Sequence, residues 1–407
     1  MDAKVTSPAN TNDGRTLAVI YLIIVLDAVG MGLVLPVLPD LLRSLGGQGA
    51  TGWPFGAFLG LYALMQFLFS PLLGTLSDSY GRRKILVLSL AGATLNYVVM
   101  ALHPPLWLLF AGRAVAGMTG ANMAVASAYL ADITPPDKRA ERFGRLSACF
   151  GLGFIVGPAL GGVMAGWGAG YPFAAAAVFS AVTLVVTLVV LPRMPLVAAT
   201  EHFSLNPLTA FRWVFSFPVL LPLIAVFVLF AMIGEVGGTV WVLYGETKFH
   251  WHGLTVGLSL ALFGLFHALA QAFLTGPLSR RLGQRGTLLL GMACDAAAYV
   301  CIALADAGWM AFALIPLFCL GGIGSPVLEG LLSNTVDSDG KSGDGQGRLR
   351  GVLASLTSLA SIITPVAVAA IFFASRTWFP GLIWLLGAAV YAVCLPVVMR
   401  RGLYIKR

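Results

Sequence analysis

Apolar stretches of about 20 residues recur along the whole chain, each long enough to cross a hydrocarbon core of about 30 Å. They fall at 17–38, 54–75, 84–102, 105–128, 142–166, 171–191, 217–243, 253–276, 286–305, 308–332, 351–373 and 378–398. A chain built this way has few folds open to it. Only closed hydrogen-bonding structures survive in lipid, and segments of this length close their bonds as helices. The expected fold is an all-α polytopic membrane protein of twelve transmembrane helices. Composition excludes a soluble alternative, since 10% of the residues are charged and 58% hydrophobic, against about 25% charged in a soluble domain. The first stretch carries Asp27, exceeds a leader's apolar region and lacks a small-residue cleavage site, so it is expected to remain as the first helix.

Excess Lys and Arg marks the cytoplasmic side of short loops. Arg82, Arg83, Lys84, Lys138, Arg139, Arg142, Arg145, Arg280, Arg281, Arg285, Arg400 and Arg401 fall in loops or ends on one side, with only Arg43, Lys248 and Arg376 on the other. Both termini are therefore expected in the cytoplasm. The net charge of +8 follows from the same asymmetry and does not call for a nucleic-acid partner. Cys149, Cys294, Cys301, Cys319 and Cys394 lie within spans without metal-ligand spacing and read as small core residues. With no metal cluster and no nucleophile–base pair in the sequence, an enzyme is not expected.

The chain repeats itself. Gly74-Thr-Leu-Ser-Asp-Ser-Tyr-Gly81-Arg-Arg83 resembles Gly276-Pro-Leu-Ser-Arg-Arg-Leu-Gly283-Gln-Arg285, each in the turn after the second helix of a six-helix half. Further on, Gly117 and Gly120 correspond to Gly321 and Gly324, and Pro158 to Pro365. The division expected is a bundle over 1–191, a cytoplasmic linker over 192–216 with Pro192, Pro195 and Pro207, and a second bundle over 217–407. The polar, Gly-rich run 336–348 reads as a flexible loop.

Gly74-x-Leu-Ser-Asp78-x-x-Gly81-Arg82-Arg83-Lys84 resembles the signature loop of major facilitator transporters. That resemblance implies two pseudo-symmetric six-helix bundles with a substrate site between them near the midplane. Asp78 and Arg82 each sit at the helix end whose dipole disfavours their charge, and the resemblance implies a state-dependent contact with the other half around Gly351. A plain charged turn is the alternative. The run Gly151-Leu-Gly-Phe-Ile-Val-Gly157-Pro158-Ala-Leu-Gly161-Gly162 resembles the fifth-helix motif of proton-driven drug antiporters. Its small residues permit close helix approach, and Pro158 frees a carbonyl so that the helix can bend. Passive helix contact would use the same residues.

Ionisable residues inside a span are costly and by default functional. Asp27, Arg113, His267 and Asp295 fall deep in their spans, with Gln66 at similar depth and Gln271 one turn from His267. Arg113, in Ala-Gly-Arg-Ala-Val-Ala-Gly117, resembles an arginine motif implicated in proton transfer, and Asp27 is the partner its charge would favour. A structural ion pair is the alternative there. Asp295 could carry a proton or attract a cation. His267 could relay protons near neutral pH or be a hydrogen-bonded core residue. Glu235, among Gly234, Gly237 and Gly238, marks a place where helix seven could unwind. Trp241 and Tyr244 could stack on an aromatic ligand or anchor the membrane interface. His250 and His252 read as surface residues, and Asp132, Asp137 and Glu141 as solvated loop charges.

Four segments resemble a narrower group, the tetracycline/proton antiporters: Leu26-Asp27 through Pro39, Leu61-Tyr62-Ala-Leu-Met-Gln66, Val240-Trp241-Val-Leu, and Gly264-Leu-Phe-His267-Ala-Leu-Ala-Gln271-Ala-Phe273. Asp295 in Cys-Asp-Ala-Ala-Ala-Tyr299 adds to them. The resemblance implies export of tetracycline, as a chelate of a divalent cation such as magnesium, in exchange for protons across a bacterial inner membrane. A multidrug or other small-molecule proton antiporter is the alternative. It further implies proton coupling through Asp27, Arg113, Asp295 and His267, and substrate contact at Gln66, Asn96, Trp241, His267, Gln271 and Asp295. Gating would fall to Gly74, Asp78, Gly81, Arg82, Arg83, Gly157, Pro158, Gly161 and Gly162. No bound cofactor is implied, the drive being the proton gradient. The sequence departs at Asn96, where the group has an acid in helix three.

Overall fold

The computed structural model describes residues 13–46, 52–135, 138–168, 170–192, 220–338 and 345–399. The N-terminal half comprises α1 (Asp13–Val34), α2 (Leu38–Gly46), α3 (Trp53–Tyr80), α4 (Arg82–Ala101), α5 (Leu106–Thr119), α6 (Asn122–Asp132), α7 (Arg139–Ala165) and α8 (Tyr171–Val190). The C-terminal half comprises α9 (Leu220–Phe249), α10 (Gly253–Leu269), α11 (Thr275–Leu304), α12 (Gly308–Gly321), α13 (Gly324–Ser338), α14 (Gly345–Ser375) and α15 (Leu382–Met399). Two pairs, α5 with α6 and α12 with α13, each make one crossing interrupted by a short break. Residues 270–274 form a π-helical turn joining α10 to α11, so 253–304 is one continuous apolar stretch of 52 residues. At 1.5 Å per residue that stretch would run about 78 Å, far more than one crossing. It turns at Gly283, whose φ of 70° places it in the region that favours glycine. Gly81, at φ 98°, makes the corresponding turn between α3 and α4. Counted this way there are twelve crossings among the described residues, as expected.

Several expectations need correction. Residues 336–338 end α13 and 345–348 begin α14, so the Gly-rich run is shorter as a loop than its composition suggests; its middle, 339–344, lies outside the described residues. The same is true of the expected linker from 193 onwards. Helix seven does not unwind at Glu235, because α9 is unbroken through its glycines. The short amphipathic α2, with Leu38, Leu41 and Leu42 buried, was not foreseen.

Within the N-terminal half α1 lies along α7 and α8, α4 along α8, and α3 along α5. Glycines set the closest approaches. A Cβ at Gly153, Gly157 or Gly161 of α7 would strike the carbonyls of Val25, Val29 or Leu33 on α1, and one at Gly32 would strike Pro158. Without a hydrophobic drive between helices in lipid, such close backbone contact supplies the attraction. The largest contacts that join the halves among the described residues are α3 with α14 and α7 with α10. Gly56 and Gly60 face the carbonyls of Pro365 and Ile362, while Gly162 faces Gly253 and Gly257. Both seams lie near the start of α3 and the end of α7, the face opposite the one where α1 begins. That face is closed across the halves; the starting face of α1 is here called the terminal face.

Candidate functional site

The signature turn lies at the terminal face. Arg82 pairs with Asp78 and with Asp132 at 3.1 Å, and donates to Ser77 Oγ at 2.7 Å. Arg83 donates to the Leu188 carbonyl. The unfavourable helix-end charges are therefore offset within their own half. Asp132, expected as a solvated charge, belongs to this network, and Glu141 pairs with Arg145 at 2.5 Å. In this conformation the state-dependent contact expected near Gly351 is not seen among the described residues: a Cβ at Gly74 or at Gly351 would meet nothing within 4 Å. With the opposite face closed and these two glycines open, the halves part on the terminal side among the described residues.

Deeper in the N-terminal half, the break at Gly120–Ala121 organises a polar cluster. It leaves the Gly120 carbonyl outside the helix ladder, and Gln66 donates to it at 2.8 Å from α3. Asn122 begins α6 and donates to Asp27 Oδ1 at 2.8 Å. Arg113 takes a different course from the one its charge suggests. Its guanidinium stands over Tyr62 at 4.5 Å and Phe58 at 5.0 Å, and no ion pair joins it to Asp27 among the described residues. Aromatic faces hold a desolvated cation with about 2 kcal/mol, so the carboxylate is not required as its partner. The Nε of Arg113 and the Oδ1 of Asn122 are buried without a partner among the described residues.

The C-terminal half repeats the device at a break after Gly321. Asp295, on α11, lies against the Cα of Gly321 and accepts from the Tyr391 hydroxyl of α15 at 2.7 Å. His267 stacks on Phe263 at 5.6 Å and lies against Gly322, while its Nε2 is 2.9 Å from Gln271 Nε2. The amide nitrogen can only donate, so Nε2 accepts and the ring proton belongs on Nδ1, which is buried without a partner among the described residues. Asp27, Gln66 and Arg113 thus gather at one break, and Asp295, His267 and Gln271 at the other.

Two expected substrate contacts lie elsewhere. Asn96 is 2% exposed, its amide nitrogen against Met100 Sδ at 3.5 Å and its oxygen close to Gly112 of α5. It sits in the α4–α5 contact and not on an open wall. Trp241 is 7% exposed, donates to Ser259 Oγ at 2.9 Å and meets Trp251, Phe318 and Trp384 edge-on. Tyr244, 1% exposed, donates to the Ile302 carbonyl. Both side chains are packed into the core of the C-terminal half. Cys319 and Cys394 are buried as expected, but Cys301 is exposed. Asn122, Tyr62 and Tyr391 were missed from the sequence. A polar residue two positions after a mid-span glycine, and a lone tyrosine in an otherwise apolar final helix, were the available signals.

Paired bundles closed at one face, each with a carboxylate beside a broken fourth crossing, define a polytopic membrane transporter. Residues 20–365 match the Major Facilitator Superfamily. The chain is 47% identical to the tetracycline resistance protein, class C, of Escherichia coli, over 95% of this chain and 97% of that one. It is 46% identical to the class G protein of Vibrio anguillarum, over 95% and 98%. A crystal structure of the nucleoside transporter NupG superposes with a TM-score of 0.77 at 15% identity, covering 96% of this chain and all of that one, which speaks for the fold alone. The chain belongs to the Major Facilitator Superfamily, in the branch that holds the tetracycline resistance proteins.

Proposed function

We propose that this protein exports tetracycline from a bacterial cytoplasm in exchange for protons, the drug travelling as a chelate of a divalent cation such as magnesium. It would do so from the inner membrane, with the terminal face and both chain ends in the cytoplasm. Identity of 46–47% to two tetracycline resistance proteins along nearly the full length is the observation that carries the reading.

The two carboxylate clusters support the mechanism. Asp27 and Asp295 are held by neutral donors, Asn122 and Tyr391, and by no cation among the described residues. A carboxylate held that way can exchange a proton or a cation without first breaking an ion pair. Arg113 would supply fixed positive charge to the N-terminal cluster, and Gln66, His267 and Gln271 would orient the cargo. Alternating access would then rock the halves about these clusters. Parting at the terminal side suits a state that receives drug from the cytoplasm. No resident cofactor is needed for this cycle, and the cation leaves with the drug.

In inverted membrane vesicles carrying a preset proton gradient, adding tetracycline with magnesium should release protons from the lumen, and Asp27→Asn should abolish the release. Absence of release from the unmodified protein, with tetracycline susceptibility of the host unchanged, overturns the reading. Asn96 in place of the acid favours one second reading, a proton antiporter for a different small molecule. Proton release by another drug but not by tetracycline would establish it.

A further inference from the structure

A cavity of about 690 Å³ lies within the C-terminal half between α9, α13 and α14, on the terminal side of both clusters. Ligand sites for small molecules span about 300–1,000 Å³. Phe227 comes from α9, Glu329 and Ser333 from α13, and Arg350 and Thr357 from α14. Glu329 and Arg350 share this wall, yet neither makes an ion pair or side-chain hydrogen bond with any described residue. An acid and a base that line one cavity without engaging each other leave both charges available to a third body.

The cavity also points somewhere. Thr357 is one helical turn below Ser361, about 6 Å along α14, and Phe227 is about 12 Å below Glu235 along α9. Ser361 donates to Glu235 at 2.5 Å, so the two walls converge on a carboxylate. Beside it, a Cβ at Gly234, Gly237 or Gly238 would meet nothing within 4 Å, which leaves the backbone of α9 open there.

We propose that this cavity is a loading subsite, occupied from the terminal side before cargo reaches the mid-membrane clusters, and that it takes an amphoteric, ring-bearing ligand. Glu329 meets the cationic centre, a chelated metal or a protonated amine; Arg350 meets the anionic edge; Phe227 covers the ring. The inference rests on the export reading above. It assigns Glu329 and Arg350 to capture and not to coupling, which separates them from Asp27 and Asp295.

In inverted vesicles, where this face is outside, Glu329→Gln and Arg350→Gln should each raise the KM for tetracycline with magnesium about tenfold. Vmax and the protons released per drug should change less than about twofold. A structural role would lower Vmax instead. Separately, Ala354→Cys should react with a membrane-impermeant thiol reagent about fivefold more slowly when tetracycline and magnesium are present without a gradient. Glu329→Gln in that background should remove the protection. Protection that survives chelation of magnesium assigns the Glu329 contact to the amine; protection lost with it assigns the contact to the metal. Unchanged KM in both variants and unprotected Ala354→Cys, in vesicles that transport tetracycline normally, would overturn the loading site and leave the export reading intact. Vesicles of the unmodified protein that move no tetracycline would overturn both.

Discussion

Asp27 and Asp295 have neutral partners, and Asn96 has almost none. An acid at position 96 would meet Met100 Sδ and the backbone of Gly112 where the amide now sits, with no donor aimed at it. Burying a carboxylate without donors costs several kcal/mol, which exceeds any gain from a charge at this position. Asn96→Asp should therefore lower the thermal midpoint of the purified protein by several degrees and leave the tetracycline KM no better. A variant of unchanged stability that transports with higher affinity would put Asn96 on the substrate path. The partners of Arg113 differ from the Asp27 that its charge suggested, for a reason the sequence does not carry. Charge complementarity in the sequence favours Asp27, whereas the faces of Tyr62 and Phe58, one turn apart on α3, become partners only when α3 and α5 are brought together.

At the level of helices, glycines decide which contacts can form. On α7 one face meets α1 through Gly153, Gly157 and Gly161, and a neighbouring face meets the other half through Gly162. A Cβ on Gly257 would collide with the Pro158 carbonyl and come within 3.0 Å of the Gly162 Cα. Backbone cannot yield as a flexible side chain can, so Gly257→Ala should push α10 from α7 and spoil the closed face. Transport should fall more than tenfold with the protein still present in the membrane; normal transport would show that the seam tolerates separation. The number of crossings was legible because span length is set by bilayer thickness alone. Rotation of each helix was not. Lipid and protein core both accept apolar side chains, so the buried faces of Trp241 and Asn96 leave no pattern to distinguish them from exposed ones. The repeat did reveal the turns at Gly81 and Gly283, where backbone conformation restricts the residue type, and it matched the glycine-rich regions of both fourth crossings without showing that they break.

Across the whole molecule, the closed face carries one ionic contact between halves among the described residues: Arg43 of α2 pairs with Glu246 near the end of α9, and with its own neighbour Asp40 at 3.2 Å. Glu246 is 15% exposed and Arg43 33%, so the pair is partly screened and contributes about 1 kcal/mol. The glycine seams bring backbone together on the same face, but they have no charge to lose. The pair is thus the element of closure most readily removed without disturbing helix contact. A change of about 1 kcal/mol alters a two-state equilibrium about fivefold, too little to unfold either half and enough to measure. With Val366→Cys as reporter, at the α3–α14 seam beside Gly60, Glu246→Gln should speed labelling from the face opposite the terminal one about fivefold. Arg43→Glu should act in the same direction, and Arg43→Glu combined with Glu246→Arg should return the rate toward that of the unmodified pair. Equal labelling in all four would leave closure to the glycine seams alone and make the ion pair a bystander of a face already shut.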